Sequence, residues 1–199
     1  MTLSSWILSC LFFLITSEPP SGSVTLEYDV IARGDTVGIL TVIKTTGTNQ
    51  IEYNSVNETK VRFIKTFHLQ DELTATFEKG KLISSEVTAL LNGNIHKHTR
   101  IAYRDNTYKV FSEGETIDSF PDPVYASIIQ IYFEEPSHLD AVFSERFAEW
   151  YSIEQVSANP PVYELDKKGK PNLYHYRNGR MVYAELGTRL ISTELRLRE

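Results

Sequence analysis

From Val24 onward apolar and polar residues alternate with a period of two, and turn dipeptides interrupt the alternation at short intervals. The stretch "VTLEYDVIARGDTVGILTVIK" illustrates it. A two-residue turn at Gly34-Asp35 pairs Arg33 with Thr36, Ala32 with Val37 and Val30 with Ile39, with glycine first as a type II′ turn favours. Val24, Leu26, Tyr28, Val30, Ala32, Val37, Ile39 and Ile43 then share one face. Thr25, Glu27, Asp29, Arg33 and Lys44 take the other. An apolar face backed by a polar one predicts an antiparallel sheet solvated on one side.

The same pattern recurs downstream. Asn92-Gly93 and Asp105-Asn106 read as hairpin turns, the second setting Tyr103 opposite Tyr108. Asn178-Gly179 sets Tyr176 against Met181 and Tyr174 against Tyr183, while Gly80 and Gly169 mark looser connections. The spacing predicts a mainly β fold: a curved antiparallel meander of about ten strands, forming a half-open barrel, because so many strands must curl or split. At the C-terminus the apolar parity changes between Leu190 and Ile191, which predicts a bulge that bends the last strand.

One region breaks the rhythm, and one or two short helices are expected in it, around residues 122–150. In "FPDPVYASIIQIYFEEP", Asp122 is a candidate N-cap and Pro123 suits the first helical position. Val124, Ile128, Ile131 and Tyr132 follow helical spacing until Pro136 stops the run. Leu139, Val142, Phe143, Phe147 and Trp150 fit a second helix capped by Ser137, with a strand over "AVFSERF" as the rival reading.

Composition narrows the picture. The chain has 199 residues, and its 12% aromatic content, with 11 Tyr and 10 Phe, suits sheet faces better than a helical bundle. A net charge of −6 leaves no basic stripe for phosphates, which excludes nucleic acid as the expected partner. Trp6 to Ile15 is a compact apolar run followed by polar and proline residues. It is too short to span a bilayer, which takes about 20 residues, but suits a secretory signal. Residues 1–23 are therefore expected to be a signal peptide and leader, with a buried or interfacial helix as the alternative. Residues 24–199 form a single β-domain, exported to the periplasm or outside the cell, with no transmembrane span once the leader is removed. Cys10 is the single cysteine, so the mature domain would have no disulfide, thiol catalysis or thiolate metal site.

The chemistry concentrates in "QIYFEEPSHLDAVFSERFAEW", Gln130 to Trp150, where Glu134, Glu135, Asp140, Glu145 and Glu149 lie among aromatics. Paired carboxylates run glycoside hydrolysis only when they face one another across a cleft. Glu134 and Glu135 are adjacent and diverge. Glu145 and Glu149 are one helical turn apart, which a solvated helix face also gives, and Arg146 beside them would hold a carboxylate ionised. His96 and His98 share a strand face, but residues placed opposite, Ala89 and Val87, cannot ligate, so no metal or cofactor is expected. His138 with Asp140 is weaker still. Nucleophile elbows and phosphate-binding loops are absent, and Asn57–Thr59 fits a glycosylation sequon. The remaining candidates are aromatic: Tyr132, Phe133, Phe143, Phe147 and Trp150, with Glu135, Glu145 and Arg146 as polar partners. They either plug the sheet as core or line a site for an apolar or lipid-like ligand.

The segments "YDVIARGDTVGIL", "FEKGKLISSEV", "LNGN", "IYFEEP", "VFSER" and "YELDKKGKPNLYHYRNG", in this order, resemble a family of exported bacterial β-proteins of unknown function, found mainly in Bacteroidota. That family is distantly similar to periplasmic carriers of the lipoprotein-carrier type, which cradle acyl chains in a half-open sheet. The resemblance spans about Val24 to Leu197 and brings no catalytic residue with it. It implies a curved sheet with a helical insertion. The expected function is a non-enzymatic envelope protein that binds an apolar or lipid-like ligand, or an envelope partner, on a concave sheet. The alternatives are an envelope hydrolase using carboxylates of residues 134–149 and a purely structural or assembly protein.

Overall fold

A computed structural model describes residues 22–62, 66–166, 171–187 and 192–198. The leader, the connection around Gly169 and the parity change at Leu190-Ile191 lie outside the described residues. Fourteen strands are described: β1 (Gly22–Ala32), β2 (Asp35–Thr46), β3 (Gln50–Arg62), β4 (Thr66–Glu78), β5 (Lys81–Leu91), β6 (Asn94–Arg104) and β7 (Thr107–Ser112). After them come β8 (Glu115–Phe120), β9 (Ala141–Ser144), β10 (Glu149–Ala158), β11 (Pro161–Leu165), β12 (Asn172–Arg177), β13 (Arg180–Leu186) and β14 (Thr193–Leu197). All lie in one antiparallel sheet with the order β8-β7-β6-β5-β4-β3-β2-β1-β14-β13-β12-β11-β10-β9. The sheet is open, with β8 and β9 as its edges.

The mainly β, antiparallel reading holds, but the strand count rises from about ten to fourteen. The hairpin between β7 and β8 turns at Glu113-Gly114, both with positive φ, and β8 is exposed over most of its length. An exposed strand carries no inward apolar period, so it leaves little trace in the pattern.

The first hairpin differs by one register step. Ala32 pairs with Asp35, so the turn is Arg33-Gly34, with φ of 56° and 87°, as a type I′ turn requires. A register shift between Val30 and Ile31 then sets Val30 opposite Gly38 instead of Ile39. A one-residue slip moves every following side chain to the other face. Leu40 and Val42 are consequently buried, Ile39 is exposed, and Lys44 turns to the inner side. The turns at Asn92-Gly93, Asp105-Asn106 and Asn178-Gly179 stand as expected, including Tyr103 opposite Tyr108 and Tyr176 opposite Met181. Irregularities beyond two of them change the partners: His98 faces Thr88, Ala89 faces Lys97, and Tyr183 faces His175.

The helices expected around residues 122–150 reduce to a single 3-10 turn, Gln130–Tyr132. "SIIQIYF" is rich in β-branched residues that gain little from a helix. Its backbone groups also find partners on the sheet that compete with a helical ladder. The second expected helix is instead β9, a four-residue loop and the start of β10, so the strand reading is the correct one from Ala141 to Ser144.

Residues 121–140, hereafter the strap, join the two edges of the sheet by running along its inner face. Leu82 N–H donates to the Val124 carbonyl at 2.9 Å, Phe143 N–H to Ala126 at 3.0 Å, and Glu135 N–H to Gly179 at 3.0 Å. Val124, Ile129 and Ile131 belong to the same buried cluster as Tyr28 and Val42 in the middle of the sheet and Tyr163, Tyr176 and Met181 toward its β9 end.

Candidate functional site: the strap and its tyrosines

Buried tyrosines face inward from the sheet, and a buried hydroxyl needs a partner. The Tyr108 hydroxyl accepts from Val124 N–H at 3.2 Å and donates to the Leu82 carbonyl at 2.8 Å. The Tyr176 hydroxyl donates to the Ile131 carbonyl at 2.8 Å. That of Tyr28 donates to the Met181 carbonyl at 3.0 Å and lies 3.5 Å from the Tyr132 carbonyl. Tyr163 donates to Glu135 Oε1 at 2.8 Å. Burial pushes these phenols above their ordinary value, which keeps them protonated as donors. The strap is thus held through main-chain groups: its Ile131 and Tyr132 carbonyls by Tyr176 of β12 and Tyr28 of β1, and its Val124 N–H by Tyr108 of β7.

Tyr176→Phe is expected to cost about 1–3 kcal/mol, since the buried Ile131 carbonyl would lose its donor. Urea unfolding measures this as a lower midpoint at unchanged slope; an unchanged midpoint would contradict the assigned bond.

The candidate residues divide between two places. Tyr132, Phe133, Phe143, Glu135 and Glu145 come together along the strap. Tyr132 packs edge-on to Tyr28 at 5.7 Å between ring centres, and Phe133 lies 5.7 Å from Tyr53. Phe143 is fully buried, 5.5 Å from Phe120 and 5.4 Å from Trp150. Arg146 and Phe147 sit at the tip of the β9–β10 hairpin, and Trp150 starts β10 directly opposite Phe143. Arg146 pairs with Asp71 on β4 at 2.9 Å, and its carbonyl accepts from the Thr99 hydroxyl of β6 at 3.0 Å. Phe147 lies under Lys97 and Arg146, each 5.8 Å from its ring centre. The hairpin tip therefore reaches across to the opposite arm of the sheet.

The acids of this stretch do not converge on one another. Glu134 pairs with Lys44 and Glu135 with Tyr163, while Asp140 and Glu149 are exposed. Glu145 is 1% exposed and accepts weakly from Ile129 N–H at 3.5 Å. Burial raises its carboxyl to about 7, and the nearby Ser127 side chain and the N–H groups of Glu145, Ile129 and Ile128 oppose the rise. Among the described residues no group of three His, Cys, Asp or Glu could hold a metal ion. His98 contacts Glu86 at 2.9 Å and His68 contacts Glu58 at 3.1 Å. No helix among the described residues is long and apolar enough to cross a membrane.

Surface clefts among the described residues include one in the strap itself and one on β10. One, of about 220 Å³, is lined by Tyr125, Gln130, Ile131, Pro136, His138 and Leu139. The other, of about 430 Å³, is lined by Glu149, Trp150, Tyr151, Ser152 and Asp166.

Sequence reasoning missed Tyr28, Tyr108, Tyr163, Tyr176 and Lys44 as strap-holding residues. The signal was present: tyrosines at inward parity carry hydroxyls that must be satisfied from within the fold.

Comparison with known proteins gives a family and a fold. Residues 28–198 match the family described as "Domain of unknown function (DUF6134)". None of the curated proteins compared with the chain matches it. Among solved structures the chain is similar to a "Beta-barrel-like Protein of Domain of Unknown Function DUF1849 from Brucella abortus". The two share 12% identity at a TM-score of 0.55, covering 92% of this chain and 98% of the other. At that identity the likeness speaks to the fold alone.

Proposed function

The chain belongs to the DUF6134 family, and from that premise we propose that it is an exported, non-enzymatic cell-envelope protein that binds an apolar or lipid-like chain on the inner face of its sheet. In this reading the ligand takes the place that residues 121–140 occupy in the structure. The observation that carries it is the nature of the strap. A sheet face is ordinarily covered by a helix or a second sheet, each with its own internal hydrogen bonds. Here it is covered by an irregular segment that borrows its partners from the sheet's tyrosines and the Leu82 amide. Such a segment separates from the face more readily than a helix or sheet layer, because it has no ladder of its own to break.

Withdrawing it would leave a face of Tyr, Phe, Leu, Ile and Met side chains with hydroxyl donors spaced along it, which suits an acyl chain with ester carbonyls. The apolar run from Trp6 to Ile15, read as an export signal, supports the same reading. A partner's extended segment is the competing occupant. Its support is that Tyr176 and Tyr28 address main-chain carbonyls, which any polypeptide provides.

Native mass spectrometry and lipid extraction of protein purified from its own envelope test the proposal. An acyl-chain lipid bound one per chain is the expected finding. Protein that carries no such mass and does not take up added palmitate would overturn it.

A further inference from the structure

Glu145 opens the loop that turns β9 into β10, and its carboxyl is sealed inside at 1% exposure. A carboxyl buried in this way ordinarily has a cation against it. Arg146, next in the chain, does not serve, because its guanidinium is committed to Asp71 of β4. On the strap, Glu145 lies near the Ser127 hydroxyl and the Ile128 and Ile129 N–H groups, and its charge acts on the Tyr132 phenol together with that of Asp71. From its own hairpin it meets its own backbone N–H. The hairpin tip is fastened to β4 and β6 through Arg146 and Thr99, and it touches the strap through this carboxyl. Any outward movement of residues 127–129 therefore uncovers Glu145.

We propose that Glu145 is a proton-controlled latch on the strap, holding residues 121–140 seated when its carboxyl is protonated and letting them lift far more readily once ionised. This rests on the binding reading above, in which the strap must lift for a ligand to enter. The direction follows from linkage. Seated, the carboxyl titrates at about 7, raised by burial; lifted, it returns to water and its ordinary 4.5. The seated form thus holds a proton that the lifted form has already released. Its advantage is complete below about pH 4.5 and falls away as pH rises toward about 7, beyond which it changes no further. Tenfold per pH unit across that window amounts to about 300-fold in the opening equilibrium.

Amide hydrogen exchange followed by NMR at several pH values reads this directly, once corrected for the intrinsic exchange rate. For wild type, opening constants at Ile128 and Ile129 are expected to rise roughly tenfold per unit between pH 5 and 7 and then level off. Amides in β2 and β3, such as Val42 and Tyr53, should not follow them. Glu145→Gln keeps the shape and the hydrogen bonds but removes the proton, and should flatten the profile. Should that variant not fold, the wild-type series still decides. Strap opening constants that stay flat from pH 5 to 7 overturn the latch. So does a rise shared equally by the β2 and β3 amides, which would mark a merely structural buried acid. The measurement involves no ligand: a pH-gated strap in a protein that never binds palmitate removes the binding reading and keeps the latch. Palmitate binding with a flat profile does the reverse.

Discussion

Phe143→Ala is expected to lower stability by about 3–5 kcal/mol, the range for deleting a fully buried phenylalanine. Phe143 stands where the two sheet edges and the strap meet. Its ring contacts Phe120 of β8 and Trp150 of β10, and pairs of this kind contribute about 0.5–1.5 kcal/mol each beyond area burial. Its main chain joins the strap on both sides, donating to the Ala126 carbonyl at 3.0 Å and accepting from Ile128 N–H at 2.9 Å. Alanine would keep those backbone bonds and leave a void between the edges. Phe143→Leu should recover much of the loss by refilling it. Guanidinium unfolding of the three proteins provides the check, and an alanine variant within about 1 kcal/mol of wild type would contradict this packing.

Gly38→Ala is expected to be nearly as damaging, at about 3 kcal/mol, although it adds a single methyl group. A Cβ at this position would lie 2.2 Å from the Glu58 carbonyl oxygen and 2.7 Å from the Thr59 Cα. Those are backbone atoms of β3, so no rotamer change relieves the overlap. Gly38 pairs with Thr59 on one side and with Val30 on the other, beside the register shift in the first hairpin. A glycine inside a strand often marks close backbone approach, and here β2 and β3 come together where the sheet bends. Gly22→Ala is the matched control, since its added Cβ meets nothing within 4 Å. Thermal unfolding should separate the two clearly; equal midpoints would mean that the strands part at Gly38 without cost.

The sheet was legible because burial on one face writes a period of two into the chain. Three of the hairpin turns were legible because Asn-Gly and Asp-Asn favour positive φ at both central positions. Arg33-Gly34 was not, since arginine carries no preference for a left-handed position and the neighbouring Asp35 offered a rival turn. That one-step difference decided which face Lys44 occupies, and hence its pairing with Glu134.

The strap was legible as an interruption but not as an extended segment. Helical spacing of Val124, Ile128 and Ile131 recorded burial on one side, which a chain lying in a groove also produces. What distinguishes the two is the set of partners on the sheet, and those lie 45 or more residues away for Tyr176 and Tyr28. Glu145 was singled out as one of several acids, yet the neighbouring Arg146 pairs with Asp71, 75 residues distant. No local spacing encodes that choice.

The claim at the centre is that the chain's own residues 121–140 lie against the inner face of the sheet. Proton Overhauser contacts in the purified protein test it most directly, between the rings of Tyr28 and Tyr132 and between those of Tyr53 and Phe133, both with centres 5.7 Å apart. A seated strap predicts both sets of contacts alongside intact contacts between β1, β2 and β3. Intact strand contacts with both ring pairs missing would contradict it.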